Sequence, residues 1–362
     1  MTTSPQITTQ PVIRSQQEIT SLVNEIISQH YQASIAKARL LHPRYARLLQ
    51  AMHALAAAGG KRMRPYLAVM TYESYGGSKY RDMCTVGAAL EQLHAAMLMH
   101  DDIIDRDYTR YGVKNVSGQY RDIYNQIAGK DAAHYADSAA ILAGDISLSA
   151  AYQLVLDTGF SAKQKLVLQR LLGEAVFRVC GGELIDTEAA LYQPQATDPL
   201  LVSGMKTAHY SFVTPMLCGA LMAGAVEDEI EKLTDLGMKL GVAFQLADDI
   251  LGIYGDQAVT GKSNTGDIRE GRRTWLAGKA RELASTDQLK IIDSCYGNPG
   301  LDTEQADSIR RIFAACGALA ACQNKITGLA DECRIIVASL ALPNSAKDNY
   351  YNIITKATQR DR

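Results

Sequence analysis

The sequence predicts an all-α protein, and three observations carry that prediction. Ala, Leu, Met, Glu, Gln, Lys and Arg, which favour helices, are abundant, and prolines number nine in 362 residues. Alternating polar and apolar runs, the mark of half-buried strands, are scarce. Apolar residues instead recur at helical spacing. Leu168, Leu171, Leu172, Ala175 and Val179 fall at i, i+3, i+4, i+7 and i+11, the pattern of one buried helix face.

The first 14 residues form a polar tail. The opening MTTSPQITTQPVIRSQQ has no apolar core of the kind a secretory signal needs. Residues 15 to 57 read as two helices broken near His42-Pro43, because the residue before a proline is pushed out of the helical region. Next comes Gly59-Gly60-Lys61-Arg62-Met63-Arg64-Pro65. Two glycines allow close backbone approach, three cations crowd four positions, and Pro65 opens a helix, which together make an anion cradle.

The chain is organised around the stretch from Glu91 to Asp107. On a helix, Glu91, His94, Asp101, Asp102 and Asp105 share about a third of the circumference, while Leu90, Leu93, Met97, Met99, Ile103 and Ile104 fill the rest. Like charges one turn apart repel, so this stripe predicts a cation as its partner. Carboxylate oxygens in a site with open positions suit Mg2+ that also bridges phosphates. A second acidic motif follows at Phe244-Gln245-Leu246-Ala247-Asp248-Asp249-Ile250-Leu251-Gly252, where Gln245, Asp248, Asp249 and position 252 share a face. Each motif runs into a segment with weak helical signals, 106–125 and 253–273, which read as loops and are the natural place for function. Lys206-Thr207-Ala208-His209-Tyr210-Ser211-Phe212, Lys262 and Arg272-Arg273 add cations and hydroxyls. The combination points to two phosphorylated substrates, one held through metal and one held directly by Lys and Arg.

Composition excludes several alternatives. A net charge of -2 argues against an electrostatic nucleic-acid binder. Seven scattered cysteines without a CxxC pair read as reduced thiols, not as a disulfide framework or a zinc site, and favour the cytoplasm. The apolar runs read as too short for a transmembrane segment. Neither a repeat of fixed period nor a long linker divides the chain, so 15–362 reads as one domain.

The ordered set GGKRMRP, EQLHAAMLMHDDIID, AILAGD, GGELID, KTAHYSF and FQLADDILG resembles the trans-isoprenyl diphosphate synthases, or polyprenyl synthetases, across about residues 15 to 355. The resemblance implies a single large helical bundle of the isoprenoid synthase type with a central substrate cavity. It implies a prenyltransferase that condenses isopentenyl diphosphate with an allylic diphosphate, using a cluster of Mg2+ ions and acting as a homodimer. Asp101, Asp102, Asp105, Asp248 and Asp249 would then bind metal. Lys61, Arg64 and His94 match the isopentenyl diphosphate site, Arg110 a diphosphate contact, and Lys262 the lysine after the second motif. Lys206, Thr207 and Gln245 match residues that line the allylic pocket and steady the carbocation.

The chain departs from the family pattern at four places. Tyr111 stands where a second arginine is usual, and Val113 to Val116 replace a usual Pro and His. Glu183 stands where Gln is usual, and Gly252 where a third Asp often ends the second motif. Along the first acidic helix, Ala96 and Met97 hold places where an aromatic closes the product pocket early, which favours a C20 product over C15. The rival readings are a class I terpene cyclase, which needs no isopentenyl site, and a non-catalytic regulatory subunit, which tends to lose an Asp motif.

Overall fold

The computed structural model describes residues 13–191, 197–255 and 264–359. It is almost wholly helical, as composition predicts. Contacts divide the chain into two compact units, Met1–Gly173 with Pro215–Val226, and Glu174–Thr214 with Glu227–Arg362.

The first unit opens with α1 (Gln16–Leu41) and α2 (Pro43–Ala58). Ser15 and Glu18 form a capping box that satisfies two orphan amides at the start of α1. His42, in extended conformation, ends one helix and caps the next, and Pro43 occupies the first turn of α2. The predicted break is therefore where the structure has it. α3 (Met63–Ser74) is sunk in the core, with Leu67, Ala68, Val69 and Met70 fully buried. α4 (Tyr80–Ile104) carries the first acidic motif at its C-terminal end.

The segment 106–125, expected as loop, is more ordered than its composition suggested. Two short strands, β1 (Thr109–Arg110) and β2 (Val113–Lys114), pair antiparallel, with Thr109 opposite Lys114 and Arg110 opposite Val113. The two-residue connection places Tyr111 and Gly112 at φ 54° and 74°, the positive pair that a tight hairpin requires. α5 (Val116–Asn125) follows, capped by the Asn115 side chain, which accepts from the Gly118 amide at 2.8 Å. Gly118 lies inside this helix because a Cβ there would sit 2.2 Å from the Tyr108 carbonyl oxygen. Its role is close packing, not helix breaking.

α6 (Ala132–Leu156) packs on α4 and buries small residues that include Ala136, Ala140, Ala143, Gly144, Ala150 and Ala151. The stretch Gly129–Leu156 is long and apolar enough to cross a membrane by length and composition, against the sequence expectation. Half of its most apolar window is buried inside the protein, as for an Ala-rich core helix.

α7 (Ala162–Glu188) begins in the first unit and ends in the second. Leu168, Leu172, Ala175 and Val179 of its predicted face are buried. In the second unit, α8 (Pro199–Ser203) leads into a π-helical segment, Gly204–Val213, of the kind often found at functional sites. α9 (Thr214–Ala223) belongs to the first unit except for Thr214, and α10 (Glu227–Tyr254), in the second, carries the second acidic motif. The remainder is α11 (Gly266–Glu270), α12 (Trp275–Leu283), α13 (Thr286–Cys295), α14 (Thr303–Ala315), α15 (Ala318–Ser339) and α16 (Asn344–Thr358). Leu246 and Ile253 of α10 meet Leu276, Ile292, Ile309 and Phe313 in one apolar core.

Two glycines bring the π-helical segment into backbone contact with its neighbours. A Cβ on Gly182 of α7 would lie 2.7 Å from the Lys206 amide nitrogen, and one on Gly241 of α10 would lie 2.3 Å from the Ala208 Cα. Helix propensity alone would make Gly241→Ala stabilising by about 1 kcal/mol. Overpacking against backbone costs about 1–3 kcal/mol and should win. Gly241→Ala is therefore expected to lower the thermal unfolding midpoint; a raised midpoint would show that α10 does not depend on this approach.

Candidate active site

Asp101 and Asp102 occupy the last turn of α4, and Asp105 caps it. A helix C-terminus carries partial negative charge, so three carboxylates there are disfavoured twice, by each other and by the dipole. The β1–β2 hairpin supplies the cation that relieves them. Arg110 donates from Nε to Asp102 at 2.8 Å and from Nη2 to Asp102 at 2.5 Å and to Asp101 at 3.2 Å. Burial still pushes the Asp102 carboxyl up to about 6, against the downward pull of Arg110. Asp105 is exposed beside them.

The three cations of the glycine-rich loop divide their work. Arg62 takes a left-handed conformation, with φ 48°, and turns inward. Its guanidinium donates to Glu91 at 3.0 Å, to Asn24 at 2.8 Å and to the Ala56 carbonyl at 2.6 Å. Glu91, which shares a face with the aspartates by helical spacing, is thus a buried structural partner of Arg62 and not part of an acidic ligand set. Lys61 remains exposed. Arg64, Arg110 and Arg62 stand close enough to His94 to act on it electrostatically. With burial as the larger cause, they hold its imidazole well below the ordinary value and so neutral.

Tyr111 fills the place where the family's second arginine was expected. Its ring lies against Gly59, where a Cβ would meet Tyr111 Cγ at 2.9 Å. Gly59, Arg62, Glu91, His94 and Tyr111 line the polar part of a cleft whose apolar part includes Ile27, Met52, Leu55 and Met99. Ala96 is fully buried on α4, and Met97 is partly exposed.

In the second unit, Thr207 and Gln245 belong to one hydrogen-bonded chain. The Thr207 hydroxyl donates to Gln245 at 2.8 Å, and the Gln245 amide donates to Asp249 at 2.9 Å. Asp249 is buried and Asp248 exposed. Burial, with Asp248 and Asp267 nearby, pushes the Asp249 carboxyl up to about 7. Lys206 is held between Glu183 at 2.8 Å and Asp186 at 2.9 Å.

Sequence reasoning missed Asp267. A Cβ at Gly252 would lie 1.9 Å from Asp267 Oδ2, so the Asp267 carboxylate fills the space beside the position where a third motif Asp often stands. Arg272 approaches it at 3.4 Å. The signal was weak, because Asp267 is remote in sequence and only the absence of a side chain at 252 hinted at a replacement. Lys262 lies outside the described residues.

Among the described residues, no three His, Cys, Asp or Glu side chains converge into a ready-made metal cage. The donors nevertheless fit Mg2+ chemically. All are hard carboxylate oxygens, and Mg2+ typically takes one or two of these and completes its shell with water and phosphate oxygens. Such a set suits a metal that arrives with a diphosphate.

The chain is similar in sequence and in fold to known prenyl diphosphate synthases. The polyprenyl synthetase family profile matches residues 45–315. A geranylgeranyl diphosphate synthase of Sulfolobus acidocaldarius is 31% identical over 301 residues, 81% of this chain and 83% of the relative. A geranylfarnesyl diphosphate synthase of Aeropyrum pernix is 30% identical over 306 residues, 83% of this chain and 90% of the relative. Among solved structures, a Corynebacterium glutamicum geranylgeranyl pyrophosphate synthase complexed with isoprenyl diphosphate and magnesium aligns with a TM-score of 0.89. It is 28% identical, and the alignment covers 96% of this chain and 100% of that one.

The inward turn of Arg62 gives a stability prediction. Arg62 and Glu91 are 10% and 6% exposed, so removing one charge strands the other. Arg62→Ala should cost about 3–5 kcal/mol. Chemical denaturation would test this, and a loss below about 1 kcal/mol would return Arg62 to the surface cations.

Proposed function

We propose a specific reaction for this chain, which belongs to the polyprenyl synthetase family and is a prenyltransferase. In this reading it extends dimethylallyl, geranyl or farnesyl diphosphate with isopentenyl diphosphate in the presence of Mg2+, and its main product is C20 geranylgeranyl diphosphate. The observation that carries the reading is the pairing of Asp101 and Asp102 with Arg110 at the end of α4 in a chain of this family. A carboxylate set for metal and a cation for phosphate there rest on each other until substrate separates them.

Asp101, Asp102 and Asp105 would hold Mg2+ on the allylic diphosphate, and Asp248 and Asp249 would hold Mg2+ in the second unit. Bound Mg2+ supplies charge neutralisation where negative charge grows on the leaving diphosphate. Arg110 binds diphosphate directly, Lys262 binds substrate as the lysine after the second acidic motif, and Lys206 lines the allylic pocket. Lys61 and Arg64 bind isopentenyl diphosphate, and neutral His94 contributes a hydrogen bond without adding charge. Thr207 and Gln245 turn oxygen dipoles toward the allylic cation as the C–O bond breaks. The double bond of isopentenyl diphosphate attacks that cation, and the proton lost afterwards passes to the released diphosphate.

The C20 assignment rests on Ala96 and Met97, which leave room for a tail where a bulky aromatic would block it. The two curated relatives described above differ by one C5 unit in product name, and this reading assigns the length here to Ala96 and Met97. Exposed Tyr135, Ile141 and Leu142 on α6 support action as a homodimer, which would cover them. Seven free cysteines support a reducing, cytoplasmic setting.

The direct test offers labelled isopentenyl diphosphate and each allylic primer with Mg2+, and sizes the products after dephosphorylation. A C20 alcohol as the main product is expected. Release of cyclic hydrocarbon without extension would overturn the reading. Asp101→Ala or Asp248→Ala should reduce turnover at least about 1000-fold while the far-ultraviolet helical signal is kept; near wild-type rates would remove these residues from the metal set. Met97→Phe should shorten the product. An unchanged product spectrum would leave Met97 as packing alone.

A further inference from the structure

We propose that Tyr111 is a positioning residue for isopentenyl diphosphate: its ring, packed on Gly59, holds the glycine-rich loop so that Lys61 meets the substrate from a fixed place. The inference rests on the reading of Lys61 and Arg64 as the isopentenyl diphosphate site. It goes beyond that reading by giving a role to a residue that stands where the family pattern has an arginine.

The loop is held at each of its first three residues. A Cβ on Gly59 would meet Tyr111 Cγ at 2.9 Å and its Cβ and Cδ1 at 3.1 Å, so the tyrosine rests directly on the loop backbone. A Cβ on Gly60 would lie 2.5 Å from Arg62 Nη1, so the inward-turned guanidinium covers the second glycine. Gln16 of α1 donates from Nε2 to the Lys61 carbonyl at 3.1 Å. The Lys61 main chain is thereby fixed while its side chain stays exposed. A long flexible ammonium loses less freedom on binding an anion when its backbone is already in place. Of these three holds, the one on Gly59 comes from the hairpin that also carries Arg110, the partner of Asp101 and Asp102.

Backbone and charge both point to the ring as the working part. Tyr111 has φ 54° in a two-residue turn that favours Asn or Gly at this place. A tyrosine there gives up backbone stability, and packing on Gly59 offsets the loss. Arg110, Arg64 and Arg62 all stand close enough to act on the phenol. Burial, followed by Glu91, nevertheless pushes it above its ordinary value, so the side chain is neutral. A neutral ring fills a place where three guanidinium groups gather, and it adds no fourth charge to repel them.

Tyr111→Asn and Tyr111→Phe test this in steady-state kinetics with Mg2+, geranyl diphosphate and isopentenyl diphosphate. Asn removes the ring but suits the turn, so the hairpin and Arg110 keep their places, and circular dichroism should show both variants folded. Tyr111→Asn should raise the KM for isopentenyl diphosphate about tenfold, with kcat and the KM for geranyl diphosphate within about twofold of wild type. Tyr111→Phe, which keeps the ring, should behave as wild type. An unchanged KM for isopentenyl diphosphate in Tyr111→Asn would overturn the inference. So would an equal rise in Tyr111→Phe, which would make the hydroxyl a direct phosphate contact, or an equal rise in both KM values. If wild type extends none of the allylic primers, the assignment of Lys61 and Arg64 falls, and this inference with it.

Discussion

Opposed charge at close quarters is the constraint on which the rest of this structure depends. Asp101 and Asp102 sit at the negative end of α4, and Glu183 with Asp186 share a face of α7. Unrelieved, each set would destabilise its helix by a few tenths to about 1 kcal/mol per interaction. In the described structure each is closed by a cation from another segment: Arg110 from the hairpin, and Lys206 from the π-helical segment. Asp267 beside Gly252 has Arg272 in the same role.

Those pairs also explain why the local backbone is unusual where it is. A tight hairpin with two positive φ values is needed to return Arg110 onto the helix that precedes it. Gly182 and Gly241 are needed to seat Lys206 and Thr207 between α7 and α10. Arg62 adopts positive φ to reach Glu91 beneath the glycine-rich loop, which leaves Lys61 outside. Rigid helices carry the acids, and short irregular segments carry the cations. Under the proposed function, a metal bound to a diphosphate would take Asp101 and Asp102, and the phosphate would take Arg110.

Much of this was legible in the sequence. Helical periodicity gave the fold class and the break at His42-Pro43, because those signals are local. The two Asp pairs, Lys206, Thr207 and Gln245 were named from short motifs, and the structure joins Thr207, Gln245 and Asp249 in one hydrogen-bonded chain. What escaped was set by distance in sequence or by what an absent side chain admits. Asp267 is visible only through the missing Cβ of Gly252, and helical spacing could not tell that Glu91 faces Arg62. The 106–125 segment looked weak because Gly118 reads as a breaker, whereas the Tyr108 carbonyl requires a glycine there. Membership of the polyprenyl synthetase family rests on the profile match over residues 45–315 and on relatives such as the 31% identical synthase, whereas the resemblance legible in the sequence alone rests on the ordered set of motifs.

The exchange of partners can be measured directly by titrating Mg2+ into the protein alone and into protein with a non-hydrolysable allylic diphosphate analogue. Because Asp101 and Asp102 are already engaged by Arg110, Mg2+ alone should bind weakly, and the analogue should tighten it by at least about tenfold, a coupling that must be reciprocal. Equal Mg2+ affinity with and without the analogue would contradict the account, since it would mean that the metal sites are complete without the substrate.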